Sequence, residues 1–403
     1  MRRSILRTMH STVSTPSFQK LRNRYRNRVR IATALFFFGM GFSFATWASR
    51  IPSIKSQLHL SEADLGSLLL ALPIGQLLAM TFSGKLVTHY GSRWICMLGL
   101  LFYAGCLPFI SLSHTKWELA IALTCFGFFG NLCNIAVNTQ GVYTQSFFEK
   151  PIMGSFHGSW SLAGFAGALT GLVMLSFQMS VFHHFCIALA LVTLLVITNT
   201  KYLVKTKASK PEEKSSYNFI KNPDKTLLWL GIICFCGMAS EGIMFDWSGV
   251  YFKEIVQAPG ALVILGYTTF MISMAAGRFL SDVFVARLGN RKVLLFSGLI
   301  ISLGLYTAVL FPYLIPSTVA FMLVGIGVSN VIPIIFNAAG NHPTIPTGIA
   351  LTVVTSISFL GFLIGPPIIG YIAELTSLRY SFAVIGVFGL IIARLVNTLN
   401  IFK

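Results

Sequence analysis

The chain has 403 residues, of which 55% are hydrophobic and only 10% are charged. Soluble globular proteins carry about 25% charged residues, so this composition excludes an ordinary soluble enzyme. Together with a mean hydropathy of +0.74, it indicates a polytopic membrane protein.

The net charge of +18 is explained by where the basic residues lie. They fall ahead of the first apolar run and between later runs, so the charge excess does not indicate nucleic-acid binding. The first 30 residues contain no acid, and arginine occupies every second position from Arg22 to Arg30. This segment is typical of a cytosolic topology anchor next to a membrane span; an organelle transit peptide is the alternative.

Twelve apolar runs of about 20 residues predict an all-α membrane protein with twelve transmembrane helices. The first exceeds the apolar region of a signal peptide, so we expect it to be retained. The predicted spans are 31–49, 65–87, 94–113, 117–141, 153–177, 181–200, 226–252, 261–285, 293–312, 316–340, 346–372 and 379–397.

A Lys-rich polar stretch divides these spans into six and six. The predicted organisation is a basic N-terminal segment (1–30), a six-helix bundle (31–200), a linker (201–225), a second six-helix bundle (226–397) and a tail (398–403). Basic residues concentrate on the side of the termini, which predicts that both termini are cytoplasmic. Short loops and the absence of an Asn-x-Ser/Thr sequon fit a bacterial inner membrane.

The two halves repeat with a period near 200 residues. Trp47 corresponds to Trp247, and Leu65-Gly66 corresponds to Leu265-Gly266. In the fourth span, Asn131, Asn138 and Gly141 match Asn330, Asn337 and Gly340 in the tenth. This pattern predicts two pseudo-symmetric six-helix bundles with a cavity between them, an architecture of many secondary transporters.

The loops after the second and eighth spans resemble the signature of the major facilitator superfamily. They read GKLVTHYGSR at residues 84–93 and GRFLSDVFVARLGNRK at residues 277–292. Thr88 stands where the family usually has aspartate, and Asp282 lies about one turn earlier than the usual aspartate. The resemblance covers residues 31 to about 397 and implies the major facilitator fold and alternating access.

Two further stretches resemble a narrower branch of that superfamily. SFHGSWS at 155–161 and EGIMFDWS at 241–248 are similar to the bacterial fucose-permease-like group that contains MosC-like proteins. The resemblance implies a small, sugar-like or polyol-like solute.

Glu241, near the middle of the seventh span, is the predicted proton carrier. A charge at the bilayer centre costs about 2.5–3.5 kcal/mol, so such residues usually have a function. His157, about one turn inside the fifth span, is predicted to relay protons between the cytosol and the cavity. A structural carboxylic acid and a packing histidine are the alternatives.

Two amide faces and one tryptophan are the predicted solute contacts. Amides donate and accept hydrogen bonds, so they suit the hydroxyl groups of a neutral solute. The alternative is that they hold neighbouring helices together. The predicted contact residues are Asn131, Asn134, Asn138, Trp160, Asn330 and Asn337.

Two charged pairs are predicted to act as gates. Arg278 and Asp282 stand four residues apart on the eighth span, and we expect them to pair as an inner latch. Arg50 and Asp246, near the outer ends of the first and seventh spans, are the predicted outer gate, with a purely structural role as the alternative.

The sequence offers no basis for an enzyme. It has no P-loop and no hydrolase motif, and its seven cysteines form no CxxC pair, so we expect no cofactor and no metal. The leading hypothesis is a monomeric, proton-coupled transporter whose partners are a small-molecule solute, protons and the lipid bilayer. A proton-driven exporter of amphipathic compounds and a non-transporting solute sensor are the alternatives.

Overall fold

The computed structural model describes residues 16–148, 152–205, 224–345 and 347–399. Most of the predicted linker and tail, and half of the predicted N-terminal segment, lie outside these residues. Twelve helices in the described part of the chain are long and apolar enough to cross a membrane, as the hydropathy pattern predicts. The α-helices are Pro16–Ala48, Ile51–Gln57, Glu62–Leu69, Ala71–Tyr90, Ser92–Ser111, Lys116–Gln145, Met153–Ser176, Val181–Asn199, Lys225–Glu254, Leu265–Leu310, Leu314–Ser329, Val331–Gly340, Thr347–Leu375 and Leu378–Thr398.

These helices make twelve spans, numbered here in chain order. Glu62–Leu69 and Ala71–Tyr90 together form the second span, and Leu314–Ser329 and Val331–Gly340 form the tenth. The helix Leu265–Leu310 contains the eighth and ninth spans, which meet at Gly289. We call the face where the described chain begins and ends the terminal face, and the opposite face the far face. Ile51–Gln57 is a short helix at the far face.

Side-chain caps fix where several spans begin. Ser61 accepts a hydrogen bond from the backbone of Asp64, whose carboxylate accepts one in return, which is a capping box. Thr115, Ser180 and Asp224 cap the fourth, sixth and seventh spans, where each accepts a backbone N–H bond with a side-chain oxygen. These caps satisfy backbone N–H groups that a helix start leaves without an intrahelical partner.

Two glycines at equivalent loop positions show the repeat in the backbone. Gly91, between the second and third spans, has φ 84°, and Gly289, between the eighth and ninth, has φ 77°. A residue with a side chain rarely adopts this conformation, whereas glycine adopts it without cost. Both belong to the loops that resemble the superfamily signature, so the two signatures share one turn geometry.

Helix packing inside each half repeats in the same register. A Cβ atom on Gly127 of the fourth span would overlap the carbonyl oxygen of Leu72 in the second span. In the other half, a Cβ atom on Gly325 would lie 2.5 Å from the carbonyl oxygen of Phe270. Such close backbone contacts, made possible by small residues, are typical of membrane helix pairs. The predicted duplication of a six-helix bundle is therefore confirmed.

The two halves meet closely at the far face, where the second span packs on the eleventh. A Cβ atom on Gly66 would lie 2.8 Å from the carbonyl oxygen of Pro366, and one on Gly370 would lie 2.9 Å from the Cα of Gly66. Nearby, the Ser67 hydroxyl is 3.0 Å from the Tyr371 hydroxyl. These contacts close the space between the halves on this side.

Candidate functional site

A buried ion pair lies at the interface between the halves. Arg278 of the eighth span donates from Nη2 to Oε1 of Glu241 in the seventh span at 2.8 Å. The same guanidinium donates from Nη1 to the hydroxyl of Ser161 in the fifth span at 3.1 Å. Since Ser161 belongs to the N-terminal half, Arg278 links the carboxylate to the opposite half.

The two oxygens of Glu241 differ in their surroundings. Oε1 accepts from Arg278, whereas Oε2 is buried without a hydrogen-bond partner among the described residues. The Glu241 side chain is 5% exposed and the Arg278 side chain 24% exposed. The arginine therefore has the more open position, and one carboxylate oxygen stays free to hold a proton.

Three aromatic rings form a wall next to the ion pair. Phe44 of the first span and Phe245 of the seventh span pack edge to face at a centroid distance of 5.3 Å. Trp160 lies 6.4 Å from each of them. Phe245 follows Glu241 by one helical turn and Trp160 precedes Ser161, so the rings adjoin the polar groups. We call these three residues the aromatic wall.

The tenth span breaks beside this site, at Asn330. Asn330 is 4% exposed; its Nδ2 donates to the Ser329 hydroxyl at 3.0 Å, and its Oδ1 is without a partner in the described chain. A Cβ atom on Gly277 would approach the Ser329 side chain, which places the break beside Arg278. Broken helices at mid-membrane commonly line transporter sites. The hydropathy pattern did not reveal this break, because two polar residues, Ser329 and Asn330, are too few to lower the hydropathy of an otherwise apolar run.

The other predicted amides make hydrogen bonds within their own halves. Asn131 accepts from the Ser83 hydroxyl at 3.1 Å, and Asn138 donates to the side chain of Asn134 at 2.8 Å. Asn337 is exposed and accepts from Asn341 at 3.0 Å. The spacing correctly predicted that Asn134 and Asn138 share one helix face. Their role in solute binding stays a prediction.

His157 lies in the fifth span, one turn nearer the terminal face than Ser161. Its ring packs edge to face on Phe37 at 5.3 Å, and the residue is exposed. It therefore lies between the terminal face and the ion pair, and its role as a proton relay stays a prediction.

The arginines of the two predicted gates each have partners that the sequence did not indicate. Arg278 pairs with Glu241, and the side chain of Asp282 lies outside the described part of the structure. Arg50 donates from Nε to Nδ1 of His184 and from Nη2 to the carbonyl oxygen of Met179, both at 3.0 Å. These bonds hold Arg50 within the N-terminal half instead of joining it to Asp246. Burial lowers the pKa of Arg50 to about 10.

A second charged cluster joins the halves at the far face, and the sequence did not reveal it. Lys55, after the first span, pairs with Glu62 at 3.1 Å and with Glu254 at the end of the seventh span. Lys253 donates to the Ser56 hydroxyl and to the Pro52 carbonyl oxygen. Burial alone would lower the pKa of Lys55, but the carboxylates of Glu254 and Glu62 outweigh it and raise the pKa. We call Lys55, Glu62 and Glu254 the far-face cluster.

Comparison with known proteins decides the family. The profile of the Major Facilitator Superfamily matches residues 31–344 and, in a second match, residues 251–399. The chain belongs to the major facilitator superfamily. An uncharacterised MFS-type transporter of Yersinia pestis is 33% identical over 90% of this chain and 94% of its own length. Membrane protein MosC of Rhizobium meliloti is 30% identical over 90% of this chain and 88% of its own length.

Solved structures show the same fold. A variant of the nucleoside transporter NupG covers 94% of this chain and 100% of its own, with a TM-score of 0.77 and 15% identity. The family profile and the match to MosC confirm the predicted superfamily and the MosC-like resemblance. The protein is a multi-pass membrane transporter of a non-enzymatic family, which moves small solutes by secondary transport.

The central ion pair fits the place where such a transporter binds its solute. In this fold the solute site lies near mid-membrane between the two halves. Glu241, Arg278 and the aromatic wall lie there, and the far-face cluster with the Gly66–Gly370 contact closes the far side. The structure therefore represents a conformation in which the two halves are closed against each other at the far face.

Proposed function

We propose that this transporter is proton-coupled and moves a small polar solute with a sugar-like or polyol-like body. The observation that supports the proposal best is the hydrogen-bonded chain from Glu241 through Arg278 to Ser161, which connects an intramembrane carboxylate to the opposite half. We propose the cell inner membrane as its location, with both termini in the cytoplasm.

Protonation of Glu241 provides the coupling. The ionised carboxylate is held by Arg278, and its second oxygen has no donor in the described structure. A proton on that oxygen removes the charge and weakens the pair, which frees Arg278 to move relative to Ser161. Because a bound proton changes the contact between the halves, it changes the relative free energy of the two access states.

The solute lies between the aromatic wall and the polar groups. The face of a sugar ring or another flat body packs on Trp160 and Phe245, while its hydroxyls bond to Arg278 and Asn330. The amide faces around Asn131 and Asn337 remain predicted contacts, reached when the fourth and tenth spans approach in another access state. His157 carries protons between the terminal face and Glu241.

Transport in proteoliposomes tests the coupling. We expect a member of a panel of hexoses, inositols and sugar acids to accumulate under an inward proton gradient with the wild type, and Glu241→Gln to lose accumulation but keep solute exchange. Glu118→Gln is the matched control, since Glu118 only caps the fourth span at the far face. Accumulation by Glu241→Gln at the wild-type rate would contradict the role of Glu241.

A further inference from the structure

The charge balance around Glu241 and Arg278 limits what the site can carry. In this conformation the guanidinium and the carboxylate cancel. Protonated Glu241 leaves Arg278 as an uncompensated cation in a membrane interior, which is energetically unfavourable unless a counter-ion is supplied. Among the described side chains, the other titratable groups nearby are His157, one turn toward the terminal face from Ser161, and Asp246, five residues beyond Glu241 toward the far face. Neither forms an ion pair with Arg278. The side chain of Asp282, one turn beyond Arg278, lies outside the described structure.

Arg278 has donors to spare for such a counter-ion. Nη1 and Nη2 each use one N–H in their bonds to Ser161 and Glu241, and Nε makes no hydrogen bond within the described chain. A planar guanidinium matches the two oxygens of a carboxylate, whereas a hydroxyl accepts only a single weaker bond. The side chain is also 24% exposed, so these donors are reachable from the site.

We propose that the solute carries a carboxylate, which takes the place of Glu241 on Arg278 when Glu241 binds a proton. The inference rests on the proposed proton coupling and adds the chemical class of the solute. The bond from Nη2 to Oε1 of Glu241 breaks, the proton resides on the Glu241 carboxyl, and the solute carboxylate accepts the freed N–H groups.

This exchange keeps the site neutral in both states. The empty site holds one cation and one anion, and the loaded site holds the same cation, a neutral acid and the solute anion. A monoanion and a proton therefore cross together without net charge, and no unpaired charge is buried at any stage. With a neutral solute, proton loading would leave Arg278 unpaired. The aromatic wall next to Ser161 receives the remainder of the solute.

Binding of matched acids and amides tests the inference without knowledge of the natural solute. The probes are acetate against acetamide, benzoate against benzamide, and galacturonate against galactose, measured by thermal unfolding of the purified full chain. Glu241→Gln mimics the protonated state. Each acid should therefore raise the Tm of this variant, and by more than the same acid raises the Tm of the wild type. Neutral partners should leave Tm unchanged. In the double variant with Arg278→Gln, apparent acid affinity should fall at least tenfold.

Controls keep the result interpretable. Arg287→Gln removes an exposed arginine of the same helix and should leave the acid response intact. If Glu241→Gln does not fold, the same panel is run on the wild type and Arg278→Lys. Loss of the acid preference in Arg278→Lys then supports the inference, and equal acid binding by both overturns it.

Two further outcomes would overturn the inference and leave the proposed proton coupling undecided. Stabilisation by galactose but not by galacturonate would show a neutral solute, and absence of any acid-specific shift would show that Arg278 is not an anion site. In either case the flux assay with Glu241→Gln still decides proton coupling separately. Acid binding together with accumulation that ignores the proton gradient would instead reject the coupling alone.

Discussion

Lys55 and Glu254 form an ion pair across the two halves at the far face. Lys55 follows the first span and Glu254 ends the seventh, which are equivalent spans of the repeat. Glu62 accepts from the same lysine, so one cation holds two carboxylates from different elements. The cluster is mostly buried, which makes it less sensitive to salt than an exposed surface pair.

Removing this cation should loosen the far face. We expect Lys55→Met to favour the state open at that face by about fivefold, which corresponds to ~1 kcal/mol for a partly solvated ion pair. Spin labels at Gln57 and Gln257, exposed on opposite halves, should report a longer distance. Lys116→Met, which breaks an exposed pair with Asp64 inside one half, is the control. An unchanged distance in Lys55→Met would show that the cluster does not lock this face.

Lys55 should keep its contribution across physiological pH. Its pKa is raised in the folded protein, so the stabilisation is fully present below the unfolded lysine value and is lost only as pH rises through the folded pKa. Between about pH 6 and pH 9, distance measurements on wild type and Lys55→Met should therefore show a constant difference attributable to this lysine. If the difference between the wild type and Lys55→Met disappeared within that range, a group of the cluster other than Lys55 would be the one that titrates.

The packing of Gly66 on the eleventh span should be equally necessary for closure. A Cβ atom on Gly66 would lie 2.8 Å from the backbone oxygen of Pro366, and a backbone atom cannot move aside as a flexible side chain can. We expect Gly66→Val to stop transport and to keep the far face open, seen as faster labelling of a cysteine placed at Ser67. Gly105→Val is the control, because a Cβ atom there meets nothing within 4 Å.

The sequence predicted the twelve spans and the repeat because both depend on local composition. About 20 apolar residues are required to cross a bilayer, and matching residues such as Trp47 and Trp247 preserve register between halves. The same local reasoning favoured Asp282 as the partner of Arg278, since residues four apart on a helix are neighbours. The structure shows Arg278 paired with Glu241, on another helix, while the Asp282 side chain lies outside the described structure, so the latch stays a prediction.

The contacts that the sequence could not predict join residues that are far apart along the chain. The bond from Arg278 to Ser161 spans 117 residues, and the bond from Lys55 to Glu254 spans 199. Lys55 and Glu254 stand at equivalent positions of the repeat, but the repeat does not indicate that they touch, and no repeat relates Arg278 to Ser161. Both contacts depend on how the halves pack. The break at Asn330 was also missed, although the asparagine itself was predicted to be in the site.

The two loop glycines should contribute to stability through their backbone conformation. Gly289 has φ 77°, and a Cβ atom added to it would meet nothing within 4 Å, so a side chain there brings strain but no clash. We expect Gly289→Ala to cost ~1–2 kcal/mol, because an L-residue is disfavoured in the left-handed region. Gly84→Ala, in a helix and equally open, should be neutral or stabilising. Thermal unfolding of the two variants provides the comparison, and equal Tm values would contradict the explanation.

Finally, His184 should be required to keep Arg50 buried. Arg50 is 1% exposed and donates from Nε to Nδ1 of His184 at 3.0 Å, with no carboxylate partner in the described residues. His184→Ala leaves that donor without an acceptor, and we expect a loss of ~1–3 kcal/mol. The neighbouring His183 is exposed and bonds only to Ser180, so His183→Ala should change stability by less than ~0.5 kcal/mol. Equal Tm values for the two variants would mean that water replaces the imidazole at Arg50.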